Sequence, residues 1–203
     1  MPQEHYFSSK PADRAALRTV PVRLAGRDVE VQTAGGVFSP DHVDLGTRVL
    51  LDEVPKAPAA GHLLDLGAGW GPIALTLGLQ SPDATVWAVD VNERALDLVR
   101  RNVRRLGLHN VNAVSPADVP DDLRFSVIWS NPPIRIGKAE LHALLRRWLP
   151  RLDAGATAWL VVQKNLGADS LQRWLGEEFG DGWTVGRAAT SKGFRVLTVT
   201  RDA

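Results

Sequence analysis

The stretch Leu63–Pro72, LLDLGAGWGP, passes from an apolar run through an acid and three alternate glycines to a proline. Apolar residues at 63, 64 and 66 suit a strand buried on both faces. Gly67, Gly69 and Gly71 let the backbone turn tightly and let a ligand come close to it. Pro72 suits the first position of a helix, where no N–H is needed. The unit therefore reads strand, glycine loop, helix. It is not a nicotinamide fingerprint, because Pro72 stands where G-x-G-x-x-G/A needs a small residue, and the G-x-x-x-x-G-K-[ST] of a phosphate loop is absent. Asp65, just before the first glycine, would repel a pyrophosphate and attract a cation. A merely tight turn has no use for three alternate glycines after an acid.

Outward from this unit the pattern alternates. Strands are expected at 62–67, 85–90, 110–114, 124–130 and 156–163, with helices at Pro72–Leu79, Glu93–Leu106, Ala139–Leu149 and Ser170–Phe179. Two last strands, 183–189 and 194–200, have no helix between them and should form an antiparallel pair at one edge. Alternating βα units with nearly continuous apolar strands predict an α/β fold: a doubly wound, mostly parallel, seven-stranded sheet. Ligands in such sheets bind beyond the carboxyl ends of the strands. Ahead of it, residues 1–20 read as a polar lead-in. Alternation on either side of Ala25-Gly26-Arg27 predicts a β-hairpin from Val20 to Thr33, and Thr47–Val54 a short helix closed by Pro55. Residues 1–55 are thus expected to be an N-terminal extension and 56–203 the main domain.

Composition sets limits. The 203 residues suit one α/β domain with a small appendage, and the absence of cysteine excludes disulfides, zinc–thiolate sites and thiol catalysis. No apolar run has the length of a membrane span, and the first 20 residues lack the apolar core of a signal peptide. A cytoplasmic protein without a membrane partner is the expectation, as a monomer or weak dimer. The net charge of +1 makes the chain as a whole no polyanion binder. Arginines do gather at 100, 101, 104 and 105 and at 146, 147 and 151, as a solvated helix face or as a binding patch. Five scattered histidines form no H-E-x-x-H, and there is no G-x-S-x-G, so metal and hydrolase chemistry are not expected.

Three further positions carry chemistry. Asp90 ends the second strand, 25 residues after Asp65, where a carboxylate accepts both ribose hydroxyls of an adenosine or simply caps the next helix. Asn92 reads as that helix's cap. Asp118, where the third strand gives way to loop, could accept from an adenine amino group or be solvated with its acidic neighbours. After the fourth strand stands Asn131-Pro132-Pro133. The Asn131 side chain offers a carbonyl, and the prolines offer carbonyls without N–H donors on a backbone of fixed φ. Two convergent acceptors suit a target with two N–H donors, an exocyclic or amide –NH₂. Accepting from that nitrogen favours the charge that builds on it as it attacks.

These residues resemble class I S-adenosylmethionine-dependent methyltransferases of the amino-methylating type. The resemblance is closer to the small methyltransferase domain of bacterial 16S ribosomal RNA guanine-N2 methyltransferases. It rests on DLGAGWG, on the acids at 90 and 118, on NPPIRIGK, on GGVFSPDHVDLGT upstream and on His5-Tyr6-Phe7-Ser8. It implies a Rossmann-like methyltransferase fold with S-adenosylmethionine as cofactor. Asp65, Gly67, Gly69 and Gly71 would hold the methionine end. Asp90 would bind the ribose, with Val91 against the adenine; Asp118 would bind the adenine amino group, with Ala117 or Val119 beside it. Asn131 and the Pro132 carbonyl would hold the target amine in line with the sulfonium methyl, so Asn131 also borders the cofactor. Pro133 would face the substrate, and Asp44 and Thr47 would close over the cofactor.

The sequence departs from the pattern twice. Many adenine- and cytosine-amino methyltransferases carry an aromatic after NPP, whereas here the residue is Ile134. The target base would pack on that aliphatic face, or on Phe38 or Phe194. Better-known members also carry two methyltransferase-like halves, and this chain shows one. The hairpin, Arg135, Lys138, Lys164, Lys192 and Arg195 could supply phosphate contacts to ribosomal RNA or the small ribosomal subunit, or be ordinary surface charges. Two other functions stay open: methylation of a protein glutamine amide, and a non-catalytic cofactor-binding factor in ribosome assembly.

Overall fold

The computed structural model describes residues 17–203; the motif at residues 5–8 lies outside them. Two strands come first, β1 (Leu17–Leu24) and β2 (Arg27–Ala34), paired antiparallel from Leu17↔Ala34 to Leu24↔Arg27. Their two-residue loop has Ala25 at φ 50° and Gly26 at φ 75°. Both signs are those of a primed turn, whose twist matches the strands it joins. The hairpin starts three residues before the expected Val20, because Leu17, Arg18 and Thr19 pair with Ala34, Thr33 and Gln32.

The rest alternates: α1 (Leu45–Glu53), β3 (His62–Leu66), α2 (Pro72–Gln80), β4 (Thr85–Val89), α3 (Glu93–Arg105), β5 (Val111–Val114), β6 (Phe125–Ser130), α4 (Lys138–Trp148), β7 (Leu152–Gln163), α5 (Ala168–Phe179), β8 (Trp183–Ser191) and β9 (Phe194–Arg201). The strands form a seven-stranded sheet in the order β5-β4-β3-β6-β7-β9-β8. β3 to β7 run parallel; β9 is antiparallel to both its neighbours. The expected antiparallel pair is there, with the last strand inserted between β7 and β8 rather than added outside.

Two cores flank the sheet. One face packs on α4 and α5 through Phe125, Leu145, Trp148, Leu171 and Leu175. The other packs on α1, α2 and α3 through Val49, Ile73, Leu77, Leu96 and Val99. Helix α2 is apolar all round, and every residue from Pro72 to Gly78 is buried. A helix of that kind needs cover on its outer side. The hairpin supplies it: Leu24, Val31 and Ala34 join Trp70, Leu75, Ala95 and Leu98 in a third core. Asn102 of α3, fully buried, fastens the hairpin by accepting from Gln32 N (2.6 Å) and donating to Gln32 O (3.0 Å), and it also donates to Trp70 O of the glycine loop (3.2 Å).

The arginine groups are mostly spent on the fold. Arg100 pairs with Glu93 and donates to Ala113 O, Arg101 pairs with Asp97 and Arg105 with Glu30. Arg146 pairs with Glu178, while Arg147 and Arg151 donate to the Pro116 and Leu123 carbonyls. Among the described residues no helix is long and apolar enough to cross a membrane. Nor do three His, Asp or Glu side chains among them gather as a metal-binding group.

Candidate active site

The carboxyl ends of β3, β4, β5 and β6 lie side by side and deliver the candidate residues to one edge of the sheet. The glycine loop leaves β3 there. Gly67 and Ala68 N–H donate to Val89 O, and Gly71, at φ 99°, opens α2. A methyl group on Gly71 would press on Val99 at 3.1 Å, so this glycine is needed for both backbone sign and space. Gly69 also has positive φ, yet a methyl there would meet nothing within 4 Å. The space above Gly69 is open to a ligand.

Asp65 is fully buried at the end of β3. Its Oδ2 accepts from Ala74 N in α2 (2.9 Å), while Oδ1 has no hydrogen-bond partner among the described residues. Burial, with help from the Asp90 charge and against the Ala74 bond, pushes its pKa up to about 8. A buried carboxyl with one unsatisfied oxygen is a ready partner for a cation. Asp90, also buried and raised in pKa by that burial, accepts from Gly69 N with Oδ2 and from Asn92 N with Oδ1, both at 2.9 Å. It ties the glycine loop to the end of β4. Asn92 is the cap of α3, accepting from Arg94 N. Next to Asp90, Val91 is 65% exposed, an apolar surface beside a hydroxyl-accepting carboxylate. Asp118 is exposed; it accepts from Ser115 Oγ at 2.7 Å, leaving Oδ1 available, with Ala117 exposed beside it and Val119 buried in the core. S-adenosylmethionine is the cofactor that this set fits: an open cradle at Gly69, a cation partner at Asp65, a diol acceptor at Asp90 and an apolar ledge at Val91.

Asn131 follows β6, whose last residue, Ser130, donates to Leu66 O at 2.6 Å and so clamps the two strand ends together. The Asn131 Nδ2 donates to Asp44 Oδ2 and to Thr47 Oγ1, both at 3.0 Å. Asp44 accepts only, so the amide must turn its nitrogen to it. Both amide hydrogens are used, and the carbonyl oxygen is left with no donor among the described residues. Asp44 itself caps α1, accepting from Gly46 N (2.8 Å) and Thr47 N (3.3 Å). The Asn131 contacts span 84 and 87 residues; the only sign of them in the sequence is an acid three residues before a threonine at a helix start.

The prolines depart from the expectation. Pro133, at φ −74° and ψ 75°, is the centre of an inverse γ-turn, in which Ile134 N donates to Pro132 O at 2.8 Å. Ile136 N donates to Pro133 O at 3.1 Å. The prolines alone suggest carbonyls free of donors, and neither is; the turn after them brings N–H groups back. Pro132 O retains its second lone pair, and the Pro133 ring lies against Gly67. Ile134 begins a 3₁₀ turn (Ile134–Ile136) and lines a groove of about 200 Å³ with Lys138, Leu141 and Val162. Of the two aromatic candidates, Phe194 packs on the first turn of α1: a methyl on Gly46 would come within 2.9 Å of its ring and 3.0 Å of Asp44. Phe38 is 52% exposed in the segment between β2 and α1.

Arg135 in the turn after β6, Lys138 at the start of α4, Lys164 after β7 and Lys192 between β8 and β9 are exposed and make no ion pair among the described residues. Arg195 is different: it is buried and bonded to Asp169 Oδ2 at 2.7 Å, so it is no phosphate contact.

Residues 28–198 match the methyltransferase small domain family. A Bacillus subtilis protein of uncharacterized function, YbxB, is 36% identical over 197 residues, 96% of each chain. Ribosomal RNA small subunit methyltransferase C of Photorhabdus laumondii is 36% identical over 178 residues, 86% of this chain and 51% of its own. Among solved structures, the T. thermophilus 16S rRNA N2 guanosine methyltransferase, in complex with AdoMet and guanosine, superposes with a TM-score of 0.80 at 23% identity. That match covers 95% of this chain and 52% of the other. The chain thus spans about half the length of the ribosomal RNA methyltransferases that it matches. With glycine loop, strand-end acids and Asn-Pro-Pro turn all inside the matched span, the chain belongs to the methyltransferase small domain family.

Proposed function

We propose that this protein is an S-adenosylmethionine-dependent N-methyltransferase whose target is an exocyclic amino group, guanine N2 of small-subunit ribosomal RNA. The orientation of Asn131 carries the reading: its nitrogen is held from behind, and its carbonyl is left without a donor two residues before the Pro133 ring that lies against Gly67. The cofactor, when bound, supplies an electrophilic methyl group. The chain's own residues do the rest. The Asn131 carbonyl and the second lone pair of Pro132 O accept from the target –NH₂, which fixes the amine and offsets the positive charge that grows on it. Asp65, Gly69 and Asp90 hold the cofactor, and Asp118 its adenine amino group. The flipped base packs on Ile134, with Phe194, which lies beside Asp44 at the start of α1, as an aromatic candidate.

The exposed cations Arg135, Lys138, Lys164 and Lys192 support a polyanionic substrate, as do the names of the half-length relatives. A ribosomal RNA target places the work in the cytoplasm. In this reading the described residues 17–55 are an extension, whose hairpin covers α2 of the catalytic domain, residues 56–203.

The experiment is transfer of labelled methyl from S-adenosylmethionine to small ribosomal subunits, bulk RNA and protein extract, with Asn131→Ala alongside. Label in small-subunit RNA as N2-methylguanine, lost in Asn131→Ala, is the expected result. Label in protein would move the substrate to a glutamine amide. Cofactor binding without transfer to any acceptor would leave a binding factor in place of an enzyme.

A further inference from the structure

We propose that Asp44 and Thr47 are positioning residues of this site: together they lock the Asn131 carboxamide with its carbonyl toward the incoming amine. The inference rests on the amino-methyltransferase reading above and gives these two residues a part in it.

A terminal carboxamide rotates about a two-fold torsion, and its two faces have opposite chemistry. With the oxygen outward Asn131 accepts from an amine; with the nitrogen outward it presents N–H groups to N–H groups. Nothing in Asn-Pro-Pro itself chooses between these. The choice is made from behind. The two hydrogens of Nδ2 meet two acceptors, Asp44 Oδ2 and Thr47 Oγ1, each at 3.0 Å. A flipped amide would set its oxygen against the Asp44 carboxylate, which repels it. Asp44 is held in turn by the Gly46 and Thr47 N–H groups at the start of α1, where the helix dipole favours an anion. Thr47 is 4% exposed, so its hydroxyl is fixed by packing as well. A carboxylate on the nitrogen side also draws positive charge to that side and leaves the carbonyl oxygen a stronger acceptor.

If Asp44 were only the cap of α1, its bonds to Gly46 and Thr47 would suffice, and the shared bond to Asn131 would have no consequence. Two variants separate these roles. Thr47→Val keeps the shape and the cap and removes the second acceptor. Asp44→Asn keeps a capping oxygen and removes the charge. The full chain is assayed with small ribosomal subunits as acceptor. Both variants are expected to lose about tenfold or more in kcat. The KM for S-adenosylmethionine should change less than kcat, since the bonds of Asp44 and Thr47 go to Asn131 and the start of α1 and not to Asp65, Gly69 or Asp90. Thr47→Ser should restore the rate. Unchanged kcat in both variants would overturn the proposal, and so would a loss that follows the melting temperature or cofactor affinity instead.

A second measurement needs no turnover. In ¹⁵N-labelled protein the Asn131 side-chain hydrogens are expected to exchange slowly with solvent, and faster in Thr47→Val. Rapid exchange in the wild type would overturn the lock. If the wild type methylates no acceptor, the functional reading fails while this exchange measurement still decides the geometry.

Discussion

A single buried oxygen, Asp65 Oδ1, makes a pH-dependent prediction. The folded pKa of about 8 lies above the value of about 4 for a free carboxyl. Between those values the folded state keeps a proton that the unfolded chain has released. The stability contributed at this position is therefore complete below about pH 4 and lost as pH rises through about 8. Asp65→Asn keeps an acceptor for Ala74 N and has no such proton, so its melting temperature should fall less between pH 5 and pH 9 than that of the wild type. The same substitution removes the partner for a cation, and affinity for S-adenosylmethionine should drop about tenfold or more. At neutral pH, wild-type binding should release a proton that calorimetry in two buffers of different ionisation enthalpy detects, and the variant should release none. At this scale the sequence is legible where a residue sits at or just past a strand end: Asp65, Asp90 and Asn131 all do. It is not legible for the Pro132 and Pro133 carbonyls, whose donors depend on the ψ of Pro133. Nor does it reveal the partners of Asn131, which come from a helix start 84 and 87 residues away.

Among elements, the hairpin and α2 form one unit. α2 has no polar face, a pattern visible in PIALTLGL that demands cover on both sides. The hairpin's identity as that cover is not visible, because alternation marks a strand without saying what it packs on. Asn102 joins the parts, with three hydrogen bonds to Gln32 and Trp70. Asn102→Ala would leave the Gln32 N–H and C=O without these partners in a half-buried place. It should cost about 2–4 kcal/mol in a denaturant titration, as two stranded groups at roughly 1–3 kcal/mol each would. Because Trp70 lies in the glycine loop, cofactor affinity should weaken with it. Asn102→Asp keeps the acceptor for Gln32 N but sets a buried carboxylate oxygen against the Gln32 and Trp70 carbonyls, so it should destabilise at least as much. The start of β1 is hidden for a plain reason: Leu17-Arg18-Thr19 alternates too weakly to announce a strand, and only the ladder to Ala34 reveals it.

For the whole molecule, charge and topology matter most. Most of the clustered helix arginines are tied to acids and carbonyls, whereas Arg135 and Lys138 after β6, Lys164 after β7 and Lys192 between β8 and β9 stand exposed. For the proposed RNA substrate, affinity should fall with salt, and Lys138→Ala with Lys164→Ala should reduce the slope of log K against log salt by about 1.4, near 0.7 for each phosphate that is no longer neutralised. An unchanged slope would put the RNA elsewhere. The seven strands are legible one by one, but their order is not, since no local pattern states that the last strand goes inside. That insertion has a consequence for how the protein folds. β7 and β8 share no ladder; β9 lies between them and pairs with both. Until it does, the Trp159–Val162 edge of β7 stands open, apolar and unpaired, as a template for another chain. The β8–β9 hairpin closes that edge in one step, so aggregation during refolding should be governed by how soon this hairpin docks, and slow docking should be felt as lost yield well before any effect on the finished enzyme.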